Sequence, residues 1–520
     1  MSREGNCKAF NQILDRLPDT IDSLKARHLQ FMALGGTIGT GLFLGIGLAF
    51  LKAGPLSVLL GFAITGTAIW AMMYGLGEMV TWLPLPGAIP TLCTRYVDPA
   101  MGFAVGWNTW YLSAIAVCAE VVAAALIIQF WNTAINPAAW CTIVIALCVT
   151  LNIIAVSIYG EAEFIFAGIK LITIVGLLIM SFIVDLGGSP SGDRLGFRYW
   201  YNPGPAMKEV GGEGNWGRFL GLFSTLIYAA FTFGGVEMVA VAAGEAEDPR
   251  RNVPKAIKRI FWRIVLFYVL GSLAIGVLVP SDHPELGATS PWVIACRLAG
   301  IKVLPHIINA VILTSASSSA NAFIFVGARY LFGLAQNGQA PQIFLRCTKR
   351  GVPIYGVLFT SLFSGLAYLS ASSGSLEALQ YFMSLGTMAA LFNWCSVSVA
   401  YLRFKKALDL QSVDRSTLVF RSPLQPFAAW YSICFFSMVI LLNGWEIFLK
   451  GNFSGEKFVT TYIGIVVYFG LFAFWKLFKR TKVVDPAEAD LWTGKAALDA
   501  EVWPERKPRN VWEKIWFWIA

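Results

Sequence analysis

Charge is scarce in this chain. Asp, Glu, Lys and Arg make up 14% of its 520 residues, against 56% apolar residues and a mean hydropathy of +0.62. A soluble globule of this size needs far more polar surface, so that class is excluded. Histidine is scarcer still: His28, His283 and His306 lie far apart, and no metal site is expected. The nine cysteines fall mostly inside apolar stretches (Cys93, Cys118, Cys141, Cys148, Cys395 and Cys434 among them) without the paired spacing of a disulfide or zinc framework. They read as small core residues. No GxSxG elbow appears, and the glycine-rich stretch near the N-terminus neither follows a strand nor leads into GK[ST], which excludes a nucleotide loop. The expectation is therefore a protein that is not an enzyme and carries no cofactor. Residues 1–27 lack an apolar run with a cleavage site, so no signal peptide is expected.

What the chain does have is long apolar runs. Twelve stretches of the length a bilayer crossing requires centre near Gly41, Trp70, Val117, Val149, Ile174, Tyr228, Gly271, Ser318, Phe363, Leu391, Met438 and Val467. Lys and Arg stay on the cytoplasmic side of a membrane, so loop charge sets the orientation. The loop after the sixth stretch carries Arg250, Arg251, Lys255, Lys258, Arg259 and Arg263, and that after the tenth carries Arg403, Lys405, Lys406, Arg415 and Arg421. The turn NTAINPAA after the third carries no charge. Both termini are thus expected in the cytosol, and the net charge of +9 is accounted for without a nucleic-acid partner. The organisation reads as a cytosolic tail (1–27), a membrane domain (28–480) and a second cytosolic tail (481–520). In that last segment PERKPRNVWEKIWFWIA reads as an amphipathic helix at the lipid interface.

The first stretch contains GGTIGTGLFLGIG, six glycines in thirteen residues. Each interior glycine costs a helix about 0.5–1 kcal/mol, so they cannot be neutral filler. One reading is close packing, since Gly35 to Gly39 and Gly41 to Gly45 have small-xxx-small spacing. The other is an unwound segment facing a cavity. The sixth stretch decides for the second reading: FTFGGVE, Phe231 to Glu237, places paired glycines and an acid in mid-span, five spans later, as an inverted repeat requires. Two broken helices offer N-terminal amides and C-terminal carbonyls in mid-membrane, a match for a small zwitterion. The carboxylate of an amino acid would take the amides of Thr37, Ile38, Gly39, Thr40 and Gly41. Its ammonium would take carbonyls near Ile38 and from Phe231 to Gly234.

The stretches HLQFMALGGTIGTGLFLG, AEVVAAALIIQFW, EFIFAGIKLITIVG, FTFGGVEMVAVAAGEAEDPRRNVPKAI and SSSANAFIFVGARYLFGLAQNGQAP resemble those of the fungal amino-acid permeases, the yeast amino acid transporter family of the amino acid–polyamine–organocation superfamily. The resemblance covers nearly the whole chain. It implies an all-α polytopic membrane protein of twelve transmembrane helices, with a five-plus-five inverted repeat (LeuT-like), broken helices 1 and 6, and two further C-terminal helices. It also implies a plasma-membrane location and uptake of amino acids with protons, and it carries the broken-helix residues onto Gly39, Thr40, Gly41, Phe231, Gly234 and Glu237. Trafficking and ubiquitin machinery at the cytosolic tails are the further partners it suggests.

An ionisable residue inside a span is costly and so suggests function. Four stand out: Glu78, Glu120, Lys170 and Glu237. Glu78, towards the cytoplasmic end of its span, is as readily a snorkelling or gate-bracing residue as a functional one. Glu120 in VCAEVVAAA reads as a proton site or substrate-facing carboxylate, with structural pairing the alternative. For Lys170 the resemblance implies a coupling role, its ammonium bridging the first break and a hydroxyl of the eighth span, best matched by Ser318; the alternative is a permanently charged lysine that braces the break. The tenth span offers small neutral residues at Gly386 and Thr387, which leans the substrate towards neutral amino acids, proline included. The expected function is a proton-coupled amino-acid symporter working by alternating access. The alternatives are a sensor (transceptor) of the same fold, which tails this short disfavour, and an amino-acid exchanger.

Overall fold

The computed structural model describes residues 38–84, 87–154, 156–190, 192–243, 248–496 and Asn510. Thr37, the N-terminal tail and the interfacial helix expected near the C-terminus lie outside the described residues. The described residues fold into helices, in chain order α1 (Gly41–Ala53), α2 (Pro55–Trp82), α3 (Ala88–Tyr96), α4 (Pro99–Ile128), α5 (Pro137–Ile154), α6 (Val156–Asp185), α7 (Gly214–Thr232), α8 (Met238–Ala243), α9 (Arg250–Leu278), α10 (Pro291–Leu298), α11 (Leu304–Gln336), α12 (Ile354–Leu369), α13 (Ser375–Leu410), α14 (Phe427–Leu442) and α15 (Gly455–Lys479). Proline opens α2, α4, α5 and α10, where its missing N–H costs nothing and its fixed φ favours the first turn. Asp98 caps α4 by accepting from the Ala100 N–H at 2.8 Å.

Nine helices among the described residues are long and apolar enough to cross a bilayer. All twelve expected centres fall within helices, but those at Gly41, Tyr228 and Phe363 sit in shorter or interrupted ones. The first begins where the described residues begin, after the non-helical Ile38 and Gly39, and the second ends at the turns from Phe233 to Glu237. The centre of the molecule is α4, α13 and α11, whose apolar stretches are 83%, 78% and 72% buried, while α15 at 17% and α5 at 22% lie outside. The alanines of α4 (Ala119, Ala123, Ala124 and Ala125, all fully buried) let its neighbours approach closely. Asn108 fixes α4 to α13 by donating to the Ala389 carbonyl and Asn393 Oδ1, both at 2.8 Å. On the periphery, Ile165, Ile172, Ile179 and Phe182 of α6 and Val466, Phe469 and Leu477 of α15 are exposed, a surface suited to lipid and not to water.

The end of the bundle that carries the basic loops is tied together by charges far apart in sequence. Glu78 is fully buried at the end of α2 and accepts from Arg415 Nε and Nη2 at 2.9 and 2.8 Å, from the Tyr401 hydroxyl at 3.0 Å and from the Ser422 N–H at 2.7 Å. It braces α2, α13 and the following loop, and snorkelling is not its role. Beside it, part of the expected cytosolic tail (481–520) is docked: Val484 donates to the Val97 carbonyl, Trp82 Nε1 to the Leu491 carbonyl at 3.0 Å and Arg95 pairs with Asp490, with Leu491 fully buried. Arg415→Ala should lower the melting temperature of the purified protein substantially. It strands the Glu78 carboxylate, a change worth about 3–5 kcal/mol for a buried pair and towards the lower end where one partner stays partly wet. Arg415 is 25% exposed. An unchanged melting temperature would mean that Glu78 finds another partner.

Candidate functional site

Two interruptions in the helices meet at the centre. Ile38 and Gly39 are not helical, and α1 then begins with a wide turn over Gly41–Gly45. The second break follows Thr232: Phe233 to Glu237 form tight turns, with Gly235 at φ +85°, before α8 starts at Met238. That positive φ is strained for a residue with a Cβ, which accounts for one glycine of FTFGGVE.

The freed backbone groups of the first break are taken up by neighbouring helices. The Ile38 carbonyl accepts from Ser315 Oγ at 2.8 Å and Ser319 Oγ at 3.4 Å, both on α11. The Thr40 N–H is shared by both carboxylate oxygens of Glu120 at 3.3 Å, so a side chain of α4 occupies part of the anion site expected for a substrate. Gly39 and Gly41 are required by close approach. A Cβ at Gly39 would lie 2.1 Å from Glu120 Oε1, and one at Gly41 would lie 2.9 Å from the Thr232 backbone Cα. Packing and cavity readings of the glycines thus both hold, Gly41 seating α1 against α7 and Gly39 making room for the carboxylate.

A cavity of about 30 Å³ lies between the breaks, lined by Gly39 and Gly41, Leu112, Ala116 and Glu120 of α4, Phe231, Thr232 and Gly234, Ser319 and Phe323 of α11, and Gly386, Thr387 and Ala390 of α13. It has room for little more than a water molecule, so an amino acid requires it to widen. Phe231 and Thr387 also border a vestibule of about 570 Å³ that reaches the face opposite the basic loops, between Lys52, Tyr228, Gln380, Tyr381 and Glu446. The cavity is therefore closer to that face. Glu237 does not line it; its Oε2 accepts from Trp394 Nε1 at 3.0 Å, fixing the second break to α13.

Lys170 and Ser318 lie outside the cavity lining, and Lys170 Nζ donates to Ser318 Oγ at 3.1 Å, the hydroxyl that the sequence reading assigns to it. Glu163 and Arg263 are buried ionisable residues that the sequence reading missed, and Asp98, the cap of α4, is a third. Glu163, fully buried on α6, accepts from the same Ser318 hydroxyl at 2.7 Å. Arg263, only 2% exposed, belongs to the interior of α9 and donates to the Tyr268 hydroxyl at 3.0 Å. The available signal was spacing: Glu163 precedes Lys170 by two helical turns and so shares its face. Among the described residues no group of three or more His, Cys, Asp or Glu is placed to hold a metal ion.

The family described as amino acid permease matches residues 28–486. The proline-specific permease of Emericella nidulans is 40% identical over 99% of this chain and 96% of its own length. The probable proline-specific permease of Schizosaccharomyces pombe is 43% identical over 93% and 90%, and the lysine-specific permease of Saccharomyces cerevisiae is 37% identical over 96% and 82%.

Proposed function

The chain belongs to the amino acid permease family, and from that premise we propose that it is a proton-coupled importer of neutral amino acids, proline foremost, in the plasma membrane. Twelve spans in a five-plus-five inverted repeat, with the basic loops and both termini in the cytosol, complete the reading. The observation that carries it is the meeting of both helix breaks at one cavity in which, among the described residues, Glu120 is the single ionisable side chain. A cationic side chain would call for a second carboxylate, whereas the rest of this lining is glycine, aliphatic, hydroxylic or aromatic. The relatives named for proline, at 40% and 43% identity, support the same leaning.

In the proposed cycle an amino acid enters through the vestibule past Phe231 and Thr387. Its carboxylate replaces that of Glu120 at the Thr40 N–H, with Gly39 and Gly41 giving the backbone room, and its ammonium meets carbonyls at Ile38 and along Phe231 to Gly234. A proton on Glu120 favours the exchange, because a neutral acid is a weaker acceptor than a carboxylate. Behind the break, charged Lys170 clamps α6 to Ser318 of α11 and holds the outward-facing arrangement; loss of that charge releases it. Glu237 holds the second break in register through Trp394.

Glu120→Gln should reach the membrane and lose the part of uptake that external acid drives, because its amide cannot take the proton that lets the substrate carboxylate displace the side chain at the Thr40 N–H. Undiminished uptake would make Glu120 a structural residue. The reading as a whole is tested by uptake of each common amino acid, radiolabelled, in cells lacking their own permeases. Accumulation of proline or other neutral amino acids, raised by external acid and abolished by a protonophore, is the expected result. Arginine or lysine uptake that neutral amino acids do not compete would overturn the substrate assignment, and uptake that appears only against a preloaded amino acid would identify an exchanger.

A further inference from the structure

Two fully buried ionisable side chains on α6 share one hydroxyl. Lys170 Nζ donates to Ser318 Oγ at 3.1 Å and Ser318 Oγ donates to Glu163 Oε2 at 2.7 Å. A hydroxyl has one proton to give, so these bonds run in one direction, from ammonium through hydroxyl to carboxylate. The second carboxylate oxygen, Glu163 Oε1, is buried and has no hydrogen-bond partner among the described residues. Were the pair a brace alone, that oxygen would be a standing cost, and apolar residues of the same volume would brace as well. The two residues are also separated along the bundle, by two turns or about 10 Å of helix. Lys170 is nearer the middle of α6, while Glu163 is nearer the end that follows Ile154, whose carbonyl accepts from Arg350 on the basic-loop face.

We propose that Lys170, Ser318 and Glu163 form a directional proton relay, in which the coupled proton is taken up at Lys170 and given up at Glu163. The inference rests on the proton-coupled reading above. With both ends charged, the Lys170 N–H bond breaks as an O–H bond forms at Ser318, and the original Ser318 proton passes to Glu163 Oε2. A neutral amine and a neutral acid result. A proton from water on the vestibule side then restores the ammonium, and the acid loses its proton to water on the basic-loop side when that side opens, so one proton crosses per cycle. Among the described residues Glu120 of α4 and Arg263 of α9 also act on Lys170 by their charge, and Lys170 acts on Glu163.

The test uses the full chain in liposomes, with internal and external pH set independently. Wild type should accumulate substrate when the outside is acidic; if it does not, proton coupling itself is refuted and the relay with it. Glu163→Gln keeps an acceptor for Ser318 but takes no proton, so it should lose accumulation down to passive equilibration while retaining exchange of labelled for unlabelled substrate at equal pH. Ser318→Ala should behave likewise. Accumulation by either variant with the wild-type pH profile overturns the relay. If Glu163→Gln is not recovered as folded protein, Glu163→Asp decides: a displaced pH profile supports the relay and an unchanged one overturns it.

Discussion

Replacing Gly39 by alanine is expected to abolish transport while leaving the protein at the cell surface. The added Cβ would stand 2.1 Å from Glu120 Oε1 and 3.2 Å from Ser319 Oγ, so the Glu120 side chain must leave the Thr40 N–H and the cavity closes further. Gly41→Ala should be as severe for another reason. Its Cβ would meet the Thr232 Cα at 2.9 Å, and backbone cannot swing aside as a side chain can, so α1 must shift off α7. A displacement of about 1 Å in such a site costs on the order of 100-fold in rate, which sets the expected loss for both variants. Gly176→Ala on the exposed side of α6, where a Cβ meets nothing within 4 Å, should transport like wild type. Uptake normalised to surface protein decides; near-normal uptake by the Gly39 variant would remove the first break from the site.

Lys170→Ala is expected to fail twice, in protein yield and in coupling. Without the ammonium, Glu163 is left as a fully buried carboxylate facing only the Ser318 hydroxyl, and orphaning one partner of a buried pair costs about 3–5 kcal/mol. Adding Glu163→Gln removes the stranded charge. The double variant should therefore recover the yield and melting temperature of wild type without recovering accumulation. Binding and substrate exchange, which need only the cavity, should persist in it. Measurement of yield, melting temperature and pH-dependent uptake in the two single variants and the double variant separates the effects. Should Lys170→Ala concentrate substrate with the wild-type pH dependence, Lys170 is not the coupling residue and Glu120 takes its place.

Features local in sequence were the legible ones. Glycine pairs mark both breaks because a close approach or a positive φ must be met by the residue at that position, and the expected cavity-lining residues Gly39, Gly41, Phe231, Gly234 and Thr387 do share one cavity. The residues that hold the site from a distance were not legible. Glu78 meets Arg415 across 337 positions and Glu120 meets Thr40 across 80, and no period in a single chain reports such pairings. Glu237 looked like a ligand because it sits in a break, yet its partner Trp394 comes from another helix. Glu163 was passed over because it stands near the start of its span, where a charge is ordinarily taken to reach water; packing of α6 on α11 buries it instead.

In the proposed cycle the amino acid sits in the cavity between the two breaks. Thr387 borders both cavity and vestibule, and its hydroxyl is spent on the Met383 carbonyl at 2.6 Å, so Thr387→Cys is a mild change at the boundary. The decisive measurement is the rate at which a membrane-impermeant thiol reagent modifies position 387, read by mass, with and without proline. The account predicts that proline at 100 times its dissociation constant slows modification by about 100-fold, by mass action. A rate unaffected by any transported amino acid would contradict the account and move the binding site elsewhere.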